Sequence, residues 1–253
     1  MRIIGSDYDG TLTAGGIDAR KLAAIAAWQK AGNCFALVTG RAMASMQDIR
    51  IEHQLNIDYY LCCNGGVLLD SNCNLLEHTL LPMDLSLLLD HVTALGAKYC
   101  YVAAVIGSYR VRLSGPKQDA SEVFREELPP ITDYHGVSFH MDTLEEVVSS
   151  ITLLSKDFSE FLTPLRNNLN IDIVPKGVSK SAGLRRLAAR LGCEEADVIA
   201  VGDNINDLDM LNAVATSYAV ANAEDSVKLA ASRVLPWSNV ESGVARALDE
   251  LFA

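Results

Sequence analysis

The sequence lacks the cysteine and histidine patterns that mark metal-stapled or disulfide-stapled proteins. It has six cysteines, and no two of them have the C-x-x-C spacing of zinc or redox motifs. Its five histidines show no zinc-type spacing either. We therefore expect free thiols, as in a reducing cytoplasm, and no zinc site or disulfide framework.

Long apolar runs and an excess of positive charge are also missing. No run approaches the roughly 18 apolar residues that a membrane-spanning helix needs. The first residues do not show the basic segment and apolar core of a signal peptide. The formal net charge is -11, which argues against nucleic acid as a partner because nucleic-acid binding needs a basic face. We expect a cytoplasmic protein without membrane or nucleic-acid partners, and an anionic small substrate stays possible because local cations can attract it.

Strands and helices alternate at both ends of the 253-residue chain. Short apolar runs that read as buried strands begin at Ile3 and cover residues 34–38, 59–63 and 198–203, with helical patterns between them. Buried strands connected by helices are typical of a parallel sheet. The sequence therefore predicts an α/β fold with a doubly wound, Rossmann-like core.

The middle of the chain has a different character. It is more charged, and its strands read as antiparallel hairpins. We predict a core made of residues 1–81 and 178–253, with residues 82–177 inserted as an α+β cap. The elements predicted for the cap are a helix over 83–95, a hairpin of 98–105 and 109–113 turning at 107–108, a helix over 119–128, and strands near 137–140, 149–154 and 169–174.

Polar residues follow the predicted core strands at their carboxyl ends. In a doubly wound sheet these ends share one edge, where ligands bind. Lys180 opens the helix before the strand at 198–203 and joins the same group. The strand-end residues, in chain order, are Asp7, Asp9, Thr39, Gly40, Asn64, Asp203, Asn206 and Asp207.

Asp7 and Asp9 raise a physical question, because carboxylates this close repel each other unless a cation or a shared proton compensates them. Further carboxylates at the same edge favour a hard, oxygen-coordinated cation such as Mg²⁺. A hydroxyl and an amine beside that cation suit the oxygens of a phosphoryl group. The residues therefore predict phosphoryl chemistry that depends on Mg²⁺.

Four ordered motifs carry a family resemblance. DYDGTLT at 7–13, VTGR at 38–41, Lys180 within GVSKSAGL, and GDNIND at 202–207 resemble the four motifs of the haloacid dehalogenase (HAD) superfamily. CNGG at 63–66 and the stretches at 220–223 and 239–244 look like its Cof-type subfamily, which inserts a C2-type cap between the second and third motifs. The cap resembles the family only in position and length.

The resemblance implies roles for individual residues. Asp7 would be the nucleophile that forms an aspartyl-phosphate, and Asp9 would be the general acid and base. Asp7, the backbone carbonyl of Asp9, and Asp203 would bind Mg²⁺. The remaining roles are phosphate or substrate binding by Thr39, Gly40, Lys180, Asn64 and Asn206, and support of the metal shell and of the lysine by Asp207 and Asn206.

The implied function is a Mg²⁺-dependent phosphomonoesterase that acts on a small phosphorylated metabolite, such as a sugar phosphate, as a monomer or homodimer. Two alternatives stay open, a phosphotransferase or mutase on the same core, and a non-catalytic sensor of Mg²⁺ and phosphate. The dehalogenase branch is disfavoured because it would lack an acid at the position of Asp9. Arg41 is interpreted as a salt-bridging or helix-start residue and not as a phosphate ligand, since surface arginines seldom have a special role.

Overall fold

Two separate β-sheets organise the computed structural model, which describes residues 1–14 and 16–252. We call the eight-stranded sheet the core sheet. Its strands are β1 (Ile3–Asp7), β2 (Cys34–Val38), β3 (Tyr59–Cys62), β4 (Val67–Asp70), β5 (Leu75–His78), β12 (Val198–Gly202), β13 (Thr216–Ala219) and β14 (Arg233–Val234).

The second sheet, which we call the cap sheet, has six strands and lies entirely between the two halves of the core sheet in the chain. Its strands are β6 (Tyr99–Ala104), β7 (Gly107–Arg112), β8 (Glu122–Phe124), β9 (Tyr134–His140), β10 (Leu162–Asn167) and β11 (Asn170–Pro175). The eight α-helices are α1 (Ala19–Lys30), α2 (Met43–Glu52), α3 (Leu85–Ala94), α4 (Leu144–Phe158), α5 (Lys180–Arg190), α6 (Leu208–Asn212), α7 (Asp225–Ala230) and α8 (Gly243–Phe252), counted over the described residues.

The core sheet has the order β14-β13-β12-β1-β2-β3-β4-β5, and its first six strands run parallel. Every residue of β1, β2 and β12 is buried, as expected for strands covered by helices on both faces. The winding changes direction between β1 and β12, which places a crevice at their carboxyl ends. The predicted α/β fold class with a parallel core is confirmed.

Local signals explain where the core helices begin. The Asp18 carboxylate accepts a hydrogen bond from the Lys21 amide and caps α1. The Ser179 hydroxyl accepts from the Ala182 amide and caps α5. This cap fixes Lys180 as the first residue of α5.

The cap sheet has the order β10-β11-β9-β6-β7-β8 and is antiparallel except for the β7–β8 pair. It has a hydrophobic cluster of its own, separate from that of the core sheet. The predicted hairpin exists, but β7 begins at Gly107, so the connection lies at residues 105–106 and not at 107–108.

Two secondary-structure predictions for the cap are wrong. Residues 119–128 do not form an α-helix. The Glu122 carboxylate is buried against Arg112 on β7 at 2.6–2.9 Å and holds β8 in the sheet, and only a single 3-10 turn, Arg125–Glu127, follows. Residues 149–154 are not a strand. They lie inside α4, where Thr143 and Glu146 form a capping box and Val147, Ile151 and Leu154 recur at helical spacing.

Within the described residues, no helix combines the length and the apolar character that crossing a membrane requires.

Candidate active site

The strand-end residues of the core sheet converge as expected. Asp7 is the last residue of β1, Thr39 follows β2, and Asp203 follows β12. A cavity of about 690 Å³ opens between these strand ends and the cap sheet. The sequence-predicted residues that line it are Asp7, Asp9, Thr39, Gly40, Asn64, Asp203 and Asn206.

A buried lysine joins two carboxylates at the floor of this site. The Lys180 ammonium donates to Asp7 Oδ1 at 2.6 Å and to Asp207 Oδ1 at 2.5 Å. Burial would lower the pKa of Lys180, but the carboxylates of Asp207 and Asp7 outweigh burial and raise it. The ammonium therefore stays charged where a phosphoryl group would approach.

Asp207 connects Lys180 to the backbone that follows β12. Its Oδ2 accepts hydrogen bonds from the backbone amides of Asp203 and Asn204 at 2.9 and 3.0 Å. Since Oδ1 already contacts Lys180, both oxygens of this buried carboxylate are engaged by the protein. Asp207, and not its neighbour Asn206, is the residue that contacts the ammonium, while Asn206 lines the cavity.

Three carboxylates form an acidic cluster at these strand ends. Asp7, Asp203 and Asp207 each have an oxygen within 4.8 Å of the others. Burial raises the pKa of Asp7 well above its usual range and that of Asp203 to about 6. These raised pKa values show that the ionised forms need a compensating cation. With all three carboxylates ionised, the single contacting ammonium would leave two negative charges, which a divalent cation would balance. Oxygen donors of this kind suit Mg²⁺, so the residues present fit the predicted metal.

Two residues of the first motif shape the position of Asp203. The Thr11 hydroxyl donates to Asp203 Oδ1 at 2.5 Å. Gly10 has φ +83°, and a Cβ there would lie 2.3 Å from Asp203 Oδ2. The Asp203 carboxylate can therefore lie against the loop after β1 only because that loop has glycine at this position.

The Asp9 side chain lies apart from the carboxylate cluster. Its carboxylate is 53% exposed and accepts from Arg41 Nε and Nη2, both at 2.7 Å. The Arg41 guanidinium also stacks over the Tyr8 ring, 5.3 Å from its centroid. Arg41 is a salt-bridging residue, as interpreted from the sequence, but its partner is the candidate acid and base, which the sequence did not indicate.

The loops after β2 and β3 are tied together. The Thr39 amide donates to Leu61 O at 2.8 Å, and the Asn64 amide donates to Thr39 O at 2.9 Å. Cys63 and Asn64 have φ values of 50° and 53°, a left-handed conformation that is uncommon for residues other than glycine. Such backbone persists only where its surroundings hold it, so Thr39 and Asn64 are rigidly placed beside Asp7.

Sequence reasoning missed a carboxylate that the cap sheet contributes. Asp172 on β11 lines the cavity and accepts from Asn64 Nδ2 at 3.1 Å and from Ser138 Oγ on β9 at 2.6 Å. The only signal in the sequence is an acid inside the apolar strand NIDIV. That pattern does not show which loop the acid would face.

Comparisons with known proteins agree with the resemblance of the motifs. Residues 4–248 match the family model of haloacid dehalogenase-like hydrolases. The chain is 27% identical to the 5-amino-6-(5-phospho-D-ribitylamino)uracil phosphatase YcsE of Bacillus subtilis over 98% of its own length and 94% of the relative. It is 30% identical to YxeH, a B. subtilis protein that carries a provisional phosphatase name, over 99% of its own length and 98% of the relative.

The fold also matches a solved structure. A haloacid dehalogenase-like hydrolase from B. subtilis superposes with a TM-score of 0.84 over 99% of this chain and 100% of the other, at 22% identity. The match runs through both sheets, because it covers nearly the whole of each chain.

Proposed function

The chain belongs to the haloacid dehalogenase-like hydrolase family, and from that premise we propose that it is a Mg²⁺-dependent phosphomonoesterase that works through an aspartyl-phosphate on Asp7. The observation that carries this proposal is the contact of one buried ammonium, that of Lys180, with Asp7 and Asp207 beside a third carboxylate, Asp203. This arrangement combines a nucleophile, a cation site and a fixed positive charge within a few ångströms.

In the proposed reaction, an Asp7 carboxylate oxygen attacks phosphorus, and the bond from phosphorus to the leaving alcohol breaks. Asp9, separated from Arg41 and in the acid form that the water step regenerates, gives its proton to the leaving oxygen, so that the alcohol departs neutral. Asp9 then takes a proton from a water molecule, which attacks the phosphorus of the aspartyl-phosphate and frees Asp7 and inorganic phosphate. Asp9 must leave Arg41 to reach the leaving group, because the ion pair occupies both of its oxygens.

The phosphoryl oxygens would be held from several sides. Lys180 supplies a charged donor, Thr39 a hydroxyl, Gly40 a backbone amide and Asn206 a carboxamide, while Asn64 lines the cavity beside them as a substrate-binding residue. Because these groups are fixed by backbone hydrogen bonds and helix caps, little reorganisation is needed as charge develops.

The metal site would consist of the Asp7 and Asp203 carboxylates and the backbone carbonyl of Asp9. Asp207 would orient Asp203 and Lys180 without binding the ion itself, since the protein already uses both of its oxygens. When bound, Mg²⁺ would supply charge neutralisation to the phosphoryl oxygens and help to keep Asp7 ionised.

The cap, which we place at residues 82–177, would cover the site and exclude bulk water. Two hydrogen bonds join it to the core beside the cavity, Asn64 to Asp172 and Asn204 Nδ2 to Asn167 Oδ1 at 3.1 Å. A cavity of about 690 Å³ suits a small metabolite. YcsE, by its name, acts on a compound with a phosphorylated ribityl chain, which supports a small phosphorylated metabolite as substrate. We infer that the protein is cytoplasmic, where small phosphorylated metabolites of this kind would be its substrates.

The deciding experiment measures inorganic phosphate released from a panel of phosphorylated metabolites and from p-nitrophenyl phosphate. Each compound is tested with Mg²⁺, with EDTA, and with the Asp7→Asn variant. We expect release that requires both Mg²⁺ and Asp7. Absence of release from every compound would overturn the hydrolase, and phosphate transfer to an added alcohol in place of release would identify a phosphotransferase.

A further inference from the structure

Asp172 is a buried carboxylate without a cation partner. It is only 7% exposed, and in the described part of the chain no lysine, arginine or histidine lies within 4.0 Å of its oxygens. It accepts one hydrogen bond from Asn64 and one from Ser138, although a carboxylate has about four acceptor positions. A buried charge in this state is unfavourable unless another group compensates it.

Asn64 adds an unsatisfied acceptor beside this carboxylate. The residue is 1% exposed, and its Oδ1 is buried without a hydrogen-bond partner in the described residues. Buried polar side-chain atoms nearly always have a partner, so this oxygen points to a donor that the protein does not provide. Asn64 Nδ2 is already used by Asp172, which fixes the side chain in place.

Both acceptors lie close to Gly40 in the loop after β2, where we place part of the phosphate site. A Cβ on Gly40 would lie 3.2 Å from Asp172 Oδ2 and 3.4 Å from both terminal atoms of the Asn64 side chain. Asp172 and Asn64 therefore reach the residue next to Thr39. A substrate group that donates hydrogen bonds to Asp172 and Asn64 would therefore lie near the phosphate and belong to the leaving alcohol.

The rest of the cap wall carries no compensating charge. Among the described residues that line the cavity from the cap sheet and its connections, none is a lysine or an arginine. The polar ones are Tyr101, Ser108, Ser138, Asn167, Asn168 and Asn170. Such a wall can hydrogen-bond hydroxyl groups, but it offers no counter-ion to a second phosphate or to a carboxylate. Arg41, which lines the cavity from the core side, is paired with Asp9.

We propose that Asp172, oriented by Ser138 and acting together with Asn64 Oδ1, accepts hydrogen bonds from a hydroxyl group of the leaving alcohol near the ester oxygen. The preferred substrate is then a phosphomonoester of an uncharged polyol, a sugar or an alditol, and not a bisphosphate or a phosphorylated carboxylic acid. This inference rests on the proposed phosphatase activity and extends it by naming the residues that bind the leaving alcohol.

The test compares two substrates in two proteins. Sorbitol 6-phosphate presents hydroxyl groups near the ester, and p-nitrophenyl phosphate presents none. Asp172→Asn keeps the shape of the side chain but removes its charge. We expect the ratio of kcat/KM for sorbitol 6-phosphate over p-nitrophenyl phosphate to fall roughly 10- to 100-fold in the variant, mainly through KM.

Controls separate recognition from structure. Asp157→Asn changes an exposed aspartate on α4 of the cap and should leave the ratio unaltered. Ser138→Ala removes one hydrogen bond to Asp172 and should lower the ratio in the same direction by a smaller factor, which keeps the test valid if Asp172→Asn fails to fold. Wild-type protein should also prefer sorbitol 6-phosphate over fructose 1,6-bisphosphate.

Equal losses of kcat/KM on both substrates would show that Asp172 only joins the cap to the core through Asn64, and unchanged kcat/KM on both substrates would show that it does not contact the leaving group. Either result overturns the inference while leaving the phosphatase intact. Failure of the phosphatase itself is recognised separately, because wild-type protein would then release no phosphate from p-nitrophenyl phosphate.

Discussion

The core sheet collects its polar residues at strand ends, whereas the cap sheet presents them in the middle of its strands. Asp7 ends β1, and Asp203 follows β12 directly, on a neighbouring parallel strand. In the cap sheet, Ser138 and Asp172 are direct cross-strand partners of β9 and β11. In a parallel sheet, the chain position of a strand-end residue is enough to predict which edge of the sheet it occupies. In an antiparallel sheet, the surroundings of a mid-strand residue depend on how the strands are registered.

The two walls of the cavity also differ in charge. The core side concentrates Asp7, Asp203, Asp207 and Lys180 within hydrogen-bonding or metal-binding reach of one another. The cap side offers amides, hydroxyls and one carboxylate. The comparison suggests that the core carries the bond chemistry and the cap the choice of alcohol, and substitutions on each side can test that division.

The largest effect is expected from Asp7→Asn. The amide has nearly the volume of the carboxylate but is not a nucleophile, so turnover of p-nitrophenyl phosphate should fall by at least about 10³-fold. Phosphate release measures this, and a thermal melt checks the fold. Asp157→Asn in the cap is the matched control and should keep full activity. More than a few per cent of residual turnover would remove Asp7 from the nucleophile role.

A second core-side substitution addresses the metal. Asp203→Ala removes one of the three clustered carboxylates, so the Mg²⁺ concentration for half-maximal activity should rise by about 10- to 100-fold. A Mg²⁺ titration of initial rates provides the measurement. The cap variant Asp172→Asn should titrate like wild type, and an unchanged midpoint in Asp203→Ala would exclude Asp203 from the metal shell.

A smaller effect is expected from Arg41→Lys. Lysine keeps the charge but cannot form the two-point contact with Asp9, so Asp9 is held less firmly. Since the pair is exposed, we expect kcat to change by no more than about fivefold, with KM and the Mg²⁺ midpoint unaltered. Steady-state kinetics on p-nitrophenyl phosphate test this. A change confined to KM would assign Arg41 to substrate binding.

The smallest effect concerns stability at the junction of the two sheets. His135 on β9 contacts His78 on β5 through ring nitrogens 3.1 Å apart. Burial, together with His78, lowers the pKa of His135 from 6.5 to about 4. As the pH falls below 6.5, the unfolded chain takes up a proton at His135 while the folded protein does not. The folded state therefore loses stability relative to the unfolded state until the pH approaches 4.

Between pH 7 and pH 5, wild-type protein should therefore lose about 1–2 kcal/mol more unfolding free energy than His135→Gln. Urea denaturation at the two pH values measures the difference. His53→Gln, at the C-terminal end of α2, is the control and should lose as much as wild type. Equal losses in wild type and His135→Gln would contradict the assignment.

The wrong predictions all fall in the cap, and each has a physical cause. The segment at 119–128 reads as a helix because its composition is polar and helix-compatible, but the Arg112–Glu122 pair outweighs that local preference. Residues 149–154 read as a strand because a short apolar run does not show its period until the whole of Leu144–Phe158 is considered. In the core, strands predicted at the same positions are confirmed.

The sequence by itself determined the parallel core and the convergence of the strand-end residues, because buried apolar strands joined by helices leave one edge where those ends meet. Only the tertiary structure decided that Arg41 holds Asp9 away from the carboxylate cluster and that Asp172 reaches the loop beside Thr39. These contacts join residues 32 and 108 positions apart, Arg41 with Asp9 and Asn64 with Asp172. Side-chain orientation and sheet register set them, and neither is encoded in a local pattern.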